Sequence, residues 1–247
     1  MNASVNQAQR PHAPRPGLVL ARQGFEFIPA AAMREHLARY GFGGWDSFAA
    51  SWDDLGVDRY MADGGRYRRR RHAAFSVNGR TVVRKPHQPH YQSRDTNPLN
   101  GGIQRWFEPV RDDIGAHPVM QAAVQLGWAI FEPLTPAERR PEAWHVEVHQ
   151  FRIEASAQQH GLPTPEGEHR DGVDWVLILL VARINARNAT TRILDASRHG
   201  VGSFTLEQPL DAALVDDGRV YHGVTPLLPA DPGLPAYRDV LVITFRR

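Results

Sequence analysis

Residues 163–185 read PTPEGEHRDGVDWVLILLVARIN. Its apolar part, Val176 to Ala182, lacks the three-to-four-residue spacing of an amphipathic helix and reads as a buried strand. Further short β-type runs lie on both sides: WHVEVHQFRIE (144–154), TTRILD (190–195), GSFTLE (202–207), GRVYHGVT (218–225) and RDVLVITF (238–245). Clusters of Gly, Pro, Asn and Asp separate them, and no helix-length periodic segment intervenes. Closely spaced strands without intervening helices favour an antiparallel sandwich or barrel over a parallel α/β sheet. Between about Phe25 and Gln125 the pattern is mixed, with helical candidates AAAMREHLARY (30–40) and HPVMQAAVQLGWAIF (117–131). The expected fold is mainly β, with a helical N-terminal part packed on a cupin-like jelly-roll core. The expected organisation is a flexible tail at 1–17, a mixed α/β part at 18–143 and the core at 144–247, in one integrated domain. Residues 1–17 are polar, contain Pro11, Pro14 and Pro16, and lack the apolar segment of a secretory signal.

Composition removes several chemistries. The 247 residues contain no cysteine, and of the 29 basic residues only one, Lys85, is a lysine. No Cys nucleophile, iron–sulfur cluster, thiolate zinc site or disulfide is possible, so any metal must be held by nitrogen and oxygen. Lys85 follows no glycine-rich loop, which excludes a P-loop, and its context gives no support to a Schiff-base enzyme. The formal charge of +2 provides no domain-wide field for nucleic acid or a membrane surface. The longest apolar run is far short of the roughly 20 residues that span a bilayer. The expectation is a soluble, cytoplasmic protein acting on a small molecule.

His169 and Asp171 stand two apart as the buried strand begins. On a strand they project to one side, about 6.6 Å apart, and both can reach one ion. Asp174 has the opposite parity unless Gly172 introduces a bulge; it is either an orienting partner for a ligand histidine or a solvent-side residue. For a third ligand the later histidines are His199, in the turn-like SRHG, and His222, in a strand-like run. His222 is the better candidate, because several antiparallel strands fit between it and His169. Two imidazoles and a carboxylate on one face of an ion leave about three positions open, the set suited to non-haem Fe(II) oxygen chemistry.

PTPEGEHRDGVDWVLILLVARIN, DDGRVYHGVTPL and YRDVLVITF together resemble the 2-oxoglutarate and Fe(II) dioxygenase family that includes bacterial L-isoleucine 4-hydroxylase-type enzymes. YRRRRHAAFSV, HQPHYQS, NPLNGGIQRWFEP and HQFRIEA extend the resemblance over most of the chain after about residue 50. The resemblance implies a double-stranded β-helix, Fe(II) held by His169, Asp171 and His222, and 2-oxoglutarate and O₂ as co-substrates. The implied reaction hydroxylates a small molecule, by this resemblance a free aliphatic L-amino acid, with release of succinate and CO₂. The distal carboxylate of 2-oxoglutarate then needs a cation, which lysine scarcity assigns to an arginine able to bind it bidentately. Arg238 opens the last strand at the end opposite His222 and is the candidate. Arg152 and Arg246 compete, and Gln150 is a lesser candidate for a hydrogen bond to co-substrate or substrate. HYQSRDTNPLNGG (90–102) is a candidate closing loop.

Other features read more plainly. His145, Glu147 and His149 share a strand face, but the outer pair would stand about 13 Å apart, too far for one ion. The Arg66–His72 run reads as a solvated or carboxylate-pairing face, with a share in binding a substrate carboxylate left open. His87 and His90, beside prolines, read as loop packing, and Trp144 and Trp175 as core. Two alternatives are a non-catalytic jelly-roll binding protein and another cupin-type metalloenzyme.

Overall fold

The computed structural model describes residues 15–95, 97 and 99–247, so residues 1–14 of the expected tail lie outside the described residues. The front part carries helices α1 (Leu18–Gln23), α2 (Ala30–Ala38), α3 (Trp45–Ala50), α4 (Asp112–Gly115) and α5 (Pro118–Leu134). It also carries β1 (Phe25–Ile28), β2 (Arg68–Asn78), β3 (Thr81–Arg84) and β4 (Glu108–Pro109). The rest is β5 (Trp144–Ala155), β6 (Trp175–Ile184), β7 (Ala186–Asn188), β8 (Thr191–Leu194), β9 (Gly200–Phe204), β10 (Ala212–Asp216), β11 (Tyr221–Val224), β12 (Leu227–Pro229) and β13 (Ala236–Arg246). Among the described residues no helix is long and apolar enough to cross a membrane.

The main sheet runs β1-β10-β6-β13-β5-β2-β3, with β4 added parallel to β2; every other pairing is antiparallel. A smaller sheet, β11-β8-β9, faces it, and β7 pairs with β12. This is the expected jelly roll, with one difference from the sequence reading. The Arg66–His72 run is not a solvated face: residues 68–78 form β2, which lies beside β5 for ten residue pairs. Arg68, Arg70 and His72 are buried, while Arg69 and Arg71 point away and pair with Glu154 and with Asp54 and Glu108. Half of the run is therefore the carboxylate-pairing face expected, and the other half is interior. β1 and β10 also join this sheet without having stood out in the sequence.

Strand alternation divides the interior into two layers. Leu177, Leu179, Val146, Val148, Leu241, Ile243, Phe245, Phe75 and Val77 face α5 and form the larger core. The intervening Val176, Ile178, Leu180 and Val240 face the smaller sheet and meet Ile193. With both faces of β6 covered, its sequence is apolar at every position from Val176 to Val181, which explains why it shows no alternation. Helix α5 begins at Pro118, whose missing N–H costs nothing at the first helical position, and the His117 ring accepts the Val119 N–H at 3.2 Å. It lies so close to β13 that a Cβ on Gly127 would come within 2.8 Å of the Phe245 ring.

A candidate metal centre with a cationic wall

The layer between the two sheets encloses a cavity. On the main sheet its floor is the alternate set Arg238, Val240, Val242 and Thr244 of β13, Ile153, Phe151 and His149 of β5, and Arg70 and Arg68 of β2. Register places Arg238, Ile153 and Arg68 in one cross-strand row, and Val240, Phe151 and Arg70 in the next. At about 4.8 Å per strand, the β13 and β2 arginines are based some two strand spacings apart.

His169, Asp171 and His222 close the opposite side. His169 and His222 form an antiparallel bridge, and Asp171 Oδ1 and Oδ2 lie 3.4 and 3.5 Å from His169 Nε2 and His222 Nε2. One ligand atom from each falls within 4.8 Å of the others, a set that can hold a metal ion. Asp171 is not on a strand, as the spacing argument assumed. It sits in a turn that reverses through Gly172, φ +77°, a backbone angle that disfavours any side chain. Asp217 holds that turn: its buried carboxylate accepts the N–H groups of Asp171, Gly172 and Val173 at 2.8, 2.8 and 3.1 Å. Burial and the neighbouring Asp171 raise the Asp217 pKa. Burial disfavours a charged His169, yet the adjoining Asp171 and Glu166 outweigh it and push the imidazole up to about 9. Positive charge is thus favoured at this spot, as a cation ligand set requires.

Of the other expected site residues, Arg238 lies in this cavity, fully enclosed, with its Nε lacking any protein partner. Burial and the nearby Arg183 lower it to about 10. Gln150 is on the opposite face of β5, where its Nε2 donates to Ser51 Oγ at 2.9 Å, and the structure does not bring it to the cluster. Arg152 is paired with Asp239 and Asp53, and Arg246 is exposed at the end of β13. Asp174 is held by Arg247 at 2.7 Å and orients no ligand histidine. Trp144 and Trp175 are core, each donating its indole N–H, to Glu132 and Thr135. Gln92, in the segment expected to cover the site, donates to the Asp171 carbonyl at 3.2 Å and accepts from Arg105 at 2.8 Å.

Sequence reasoning missed the polar cluster around Glu147. His90 is buried rather than mere loop packing, with Nδ1 2.6 Å from Glu147 Oε2, while His72 Nε2 and His149 Nε2 each lie 3.7 Å from that oxygen. These four residues also bring ligand-type atoms within 4.8 Å, without His145, in line with the spacing argument against three ligands from one strand. Hydrogen bonding settles what the cluster is. Arg70 Nη2 donates to His149 Nδ1 at 2.9 Å and Lys85 Nζ to His145 Nδ1 at 2.8 Å, so both rings carry their proton on Nε2, toward Glu147. Burial alone would raise Glu147, but the surrounding imidazoles hold it well below the usual carboxylate range. Burial keeps His149 and His90 neutral, His90 down to about 4. Glu147 is an anionic hub accepting from histidines, and through His149 it fixes Arg70.

The chain is similar to known proteins over most of its length. A 3(1)-hydroxy-L-isoleucine 4-dioxygenase of Pantoea ananatis is 25% identical over 238 residues, 92% of this chain and 94% of the relative. An L-isoleucine-4-hydroxylase of Bacillus thuringiensis is 27% identical over 157 residues, covering 63% and 64% of the two chains. Among solved structures, a bsmA homologue from Methylobium petroleophilum PM1 superposes with a TM-score of 0.81 at 38% identity, covering 92% of this chain and 90% of that one. The family model for 2OG-Fe dioxygenases matches residues 49–244. A match of that extent, over a jelly roll that gathers two histidines and an aspartate at one cavity, establishes that this chain belongs to the 2OG-Fe dioxygenase family and is an enzyme using Fe(II), 2-oxoglutarate and O₂.

Proposed function

We propose that the protein hydroxylates a free aliphatic L-amino acid, with Fe(II) on His169, Asp171 and His222 and the distal carboxylate of 2-oxoglutarate on Arg238. The observation that carries the reading is the cavity itself, which joins the metal-ligand set to an apolar floor of Val176, Ile178, Val240 and Val242. The residues fit the cofactors: the ligand set is all nitrogen and oxygen, and Arg238 Nε is a buried donor awaiting an acceptor. When bound, iron and 2-oxoglutarate supply the oxidising power: O₂ is consumed, one oxygen atom enters the substrate C–H bond, and succinate and CO₂ leave.

The chain's share is placement and exclusion of water. Asp217 keeps Asp171 aimed at His169 and His222 through three backbone N–H groups. Gln92 ties the covering segment to the carbonyl of Asp171, so the wall over the metal site and the site itself are connected. The valine and isoleucine floor accepts an aliphatic side chain and offers it no hydrogen bond, which suits an unactivated C–H bond. The names of the two relatives, one a dioxygenase of 3(1)-hydroxy-L-isoleucine and one a hydroxylase of L-isoleucine, support the substrate class.

The test is an L-amino-acid panel with Fe(II), ascorbate and 2-oxoglutarate, read by mass spectrometry for a gain of one oxygen and by succinate release. Aliphatic amino acids are expected to give both signals in equal amount. Iron-loaded protein that turns over 2-oxoglutarate with none of the panel would overturn the substrate reading.

A further inference from the structure

The polar atoms in and around the cavity divide into those the protein satisfies and those it leaves open. Asp58 is taken by Arg68 at 2.7 Å and the Tyr60 N–H, Glu147 by its histidines, and Asp171 by the metal-site imidazoles. Four cavity-lining residues outside the metal triad and Glu147's cluster keep a buried atom without a partner: Arg238, Arg70 and Arg105, each at Nε, and Glu166 at Oε2. Arg238 belongs to the co-substrate. Two donors and one acceptor remain.

Those two donors are rigidly presented. The Arg70 guanidinium lies 3.7 Å from the Phe107 ring centroid and 4.5 Å from that of Phe151, with Nη2 anchored on His149. Arg105 is 2% exposed and anchored through Nη2 on Gln92. Among the described residues, one carboxylate, Asp58, directly pairs with the neighbouring arginines Arg68, Arg70 and Arg105 taken together; Arg68 holds it at 2.7 Å and Arg70 has it only at 3.9 Å. Burying guanidinium groups without full pairing is costly, and an incoming anion offsets that cost. Burial together with Arg68 lowers Arg70 well below its ordinary value and lowers Arg105 as well. On the acidic side, Glu166 lines the same cavity as the two arginines, with Oε1 3.6 Å from His169 Nε2.

We infer that Arg70, Arg105 and Glu166 form a receptor for an α-amino-acid head group, the two guanidiniums taking the carboxylate and Glu166 the ammonium. The inference rests on the amino-acid reading above and deepens it. The floor between the two cationic poles, Ile153 and Phe151, then separates the substrate's carboxylate from that of 2-oxoglutarate. A decarboxylated amine, an amino-acid amide or an α-hydroxy acid leaves one of these buried charges unpaired and is rejected for that reason.

The experiment compares, in each variant, kcat/KM for the best amino acid with that for its amide and for its α-hydroxy-acid analogue. Wild-type enzyme is expected to prefer the amino acid over each analogue by about a thousandfold. Arg105→Met is expected to collapse the preference over the amide to below about tenfold while keeping that over the hydroxy acid; Glu166→Gln does the reverse. Arg105→Lys, which keeps charge and folds under milder perturbation, retains part of the preference over the amide. Ratios within one variant are independent of how much of it folds. Amino-acid turnover with both preferences intact in Arg105→Met and Glu166→Gln overturns the receptor alone. Wild-type enzyme stimulated by no amino acid overturns the substrate reading and the receptor with it.

Discussion

His169 and His222 exchange two backbone hydrogen bonds, His169 N–H to the His222 carbonyl at 2.9 Å and His222 N–H to the His169 carbonyl at 3.0 Å. The spacing of the two imidazoles is thus set by main chain, independently of the rings. His222→Ala should leave the thermal midpoint of the metal-free protein nearly unchanged while lowering Fe(II) affinity at least about 100-fold, since even outer partners of ligands are worth 10–100-fold. Iron content per chain and succinate release check this. Retained turnover would remove His222 from the ligand set.

Arg238→Met keeps most of the side-chain volume and removes the charge from the β13 pole. Loss of one or two charge-assisted hydrogen bonds at about 1.5–3 kcal/mol each predicts a rise of at least about tenfold in the KM for 2-oxoglutarate. A KM equal to wild type would show that another arginine takes the distal carboxylate.

Asp217→Asn replaces an acceptor of three backbone N–H groups with a side chain that carries one carbonyl and two donors of its own. At least one N–H of the Asp171–Val173 turn is then left facing a donor. The expected cost is about 2–3 kcal/mol of stability and 10–100-fold in metal affinity. Thermal unfolding with and without Fe(II) separates the two: the metal-induced rise in Tm should shrink in the variant.

Acid is expected to destabilise the fold through the burial of His90, which outweighs the pull of Glu147. The unfolded chain protonates His90 near its ordinary 6.5, whereas the folded protein resists until about 4. Between those values the unfolded state binds more protons, so stability is fully present above pH 6.5 and falls as pH drops toward 4, by up to about 1.4 kcal/mol per unit. Glu147, held low by its histidines, adds to the loss only below its ordinary value of 4.5. His90→Asn should flatten the Tm against pH curve across that window; an unaltered slope would mean that other groups set acid stability.

Much of the back half was legible because packing writes itself into residue type. β5, β6 and β13 are covered on both faces and are apolar or alternating, and the H-x-D with a later strand histidine stood out in a chain without thiols. β2 was not legible for the same physical reason turned round: its interior positions are Arg68, Arg70 and His72, so a buried strand has the composition of a surface run. Parity along β5 could have excluded Gln150, since Val146 and Val148 alternate with Glu147, His149 and Phe151, and Gln150 falls with the core-facing set. Asp217 has no residue-type signature, because what it recognises is the backbone of a turn brought near by the fold.

β2 returns through β3 by a two-residue turn at Gly79 and Arg80, pairing Asn78 with Thr81. β3 pairs with Phe75–Asn78 and β5 with Arg68–Val77, so the register of β2 is held from both sides at its C-terminal end and by β5 along its arginines. A slip of one residue would expose Arg68, Arg70 and His72 and bury Arg69 and Arg71, emptying the wall and overfilling the outer face in one step. Ligand preference on this side of the cavity can therefore evolve by exchanging side chains at alternate positions, and is closed to insertions and deletions within the strand.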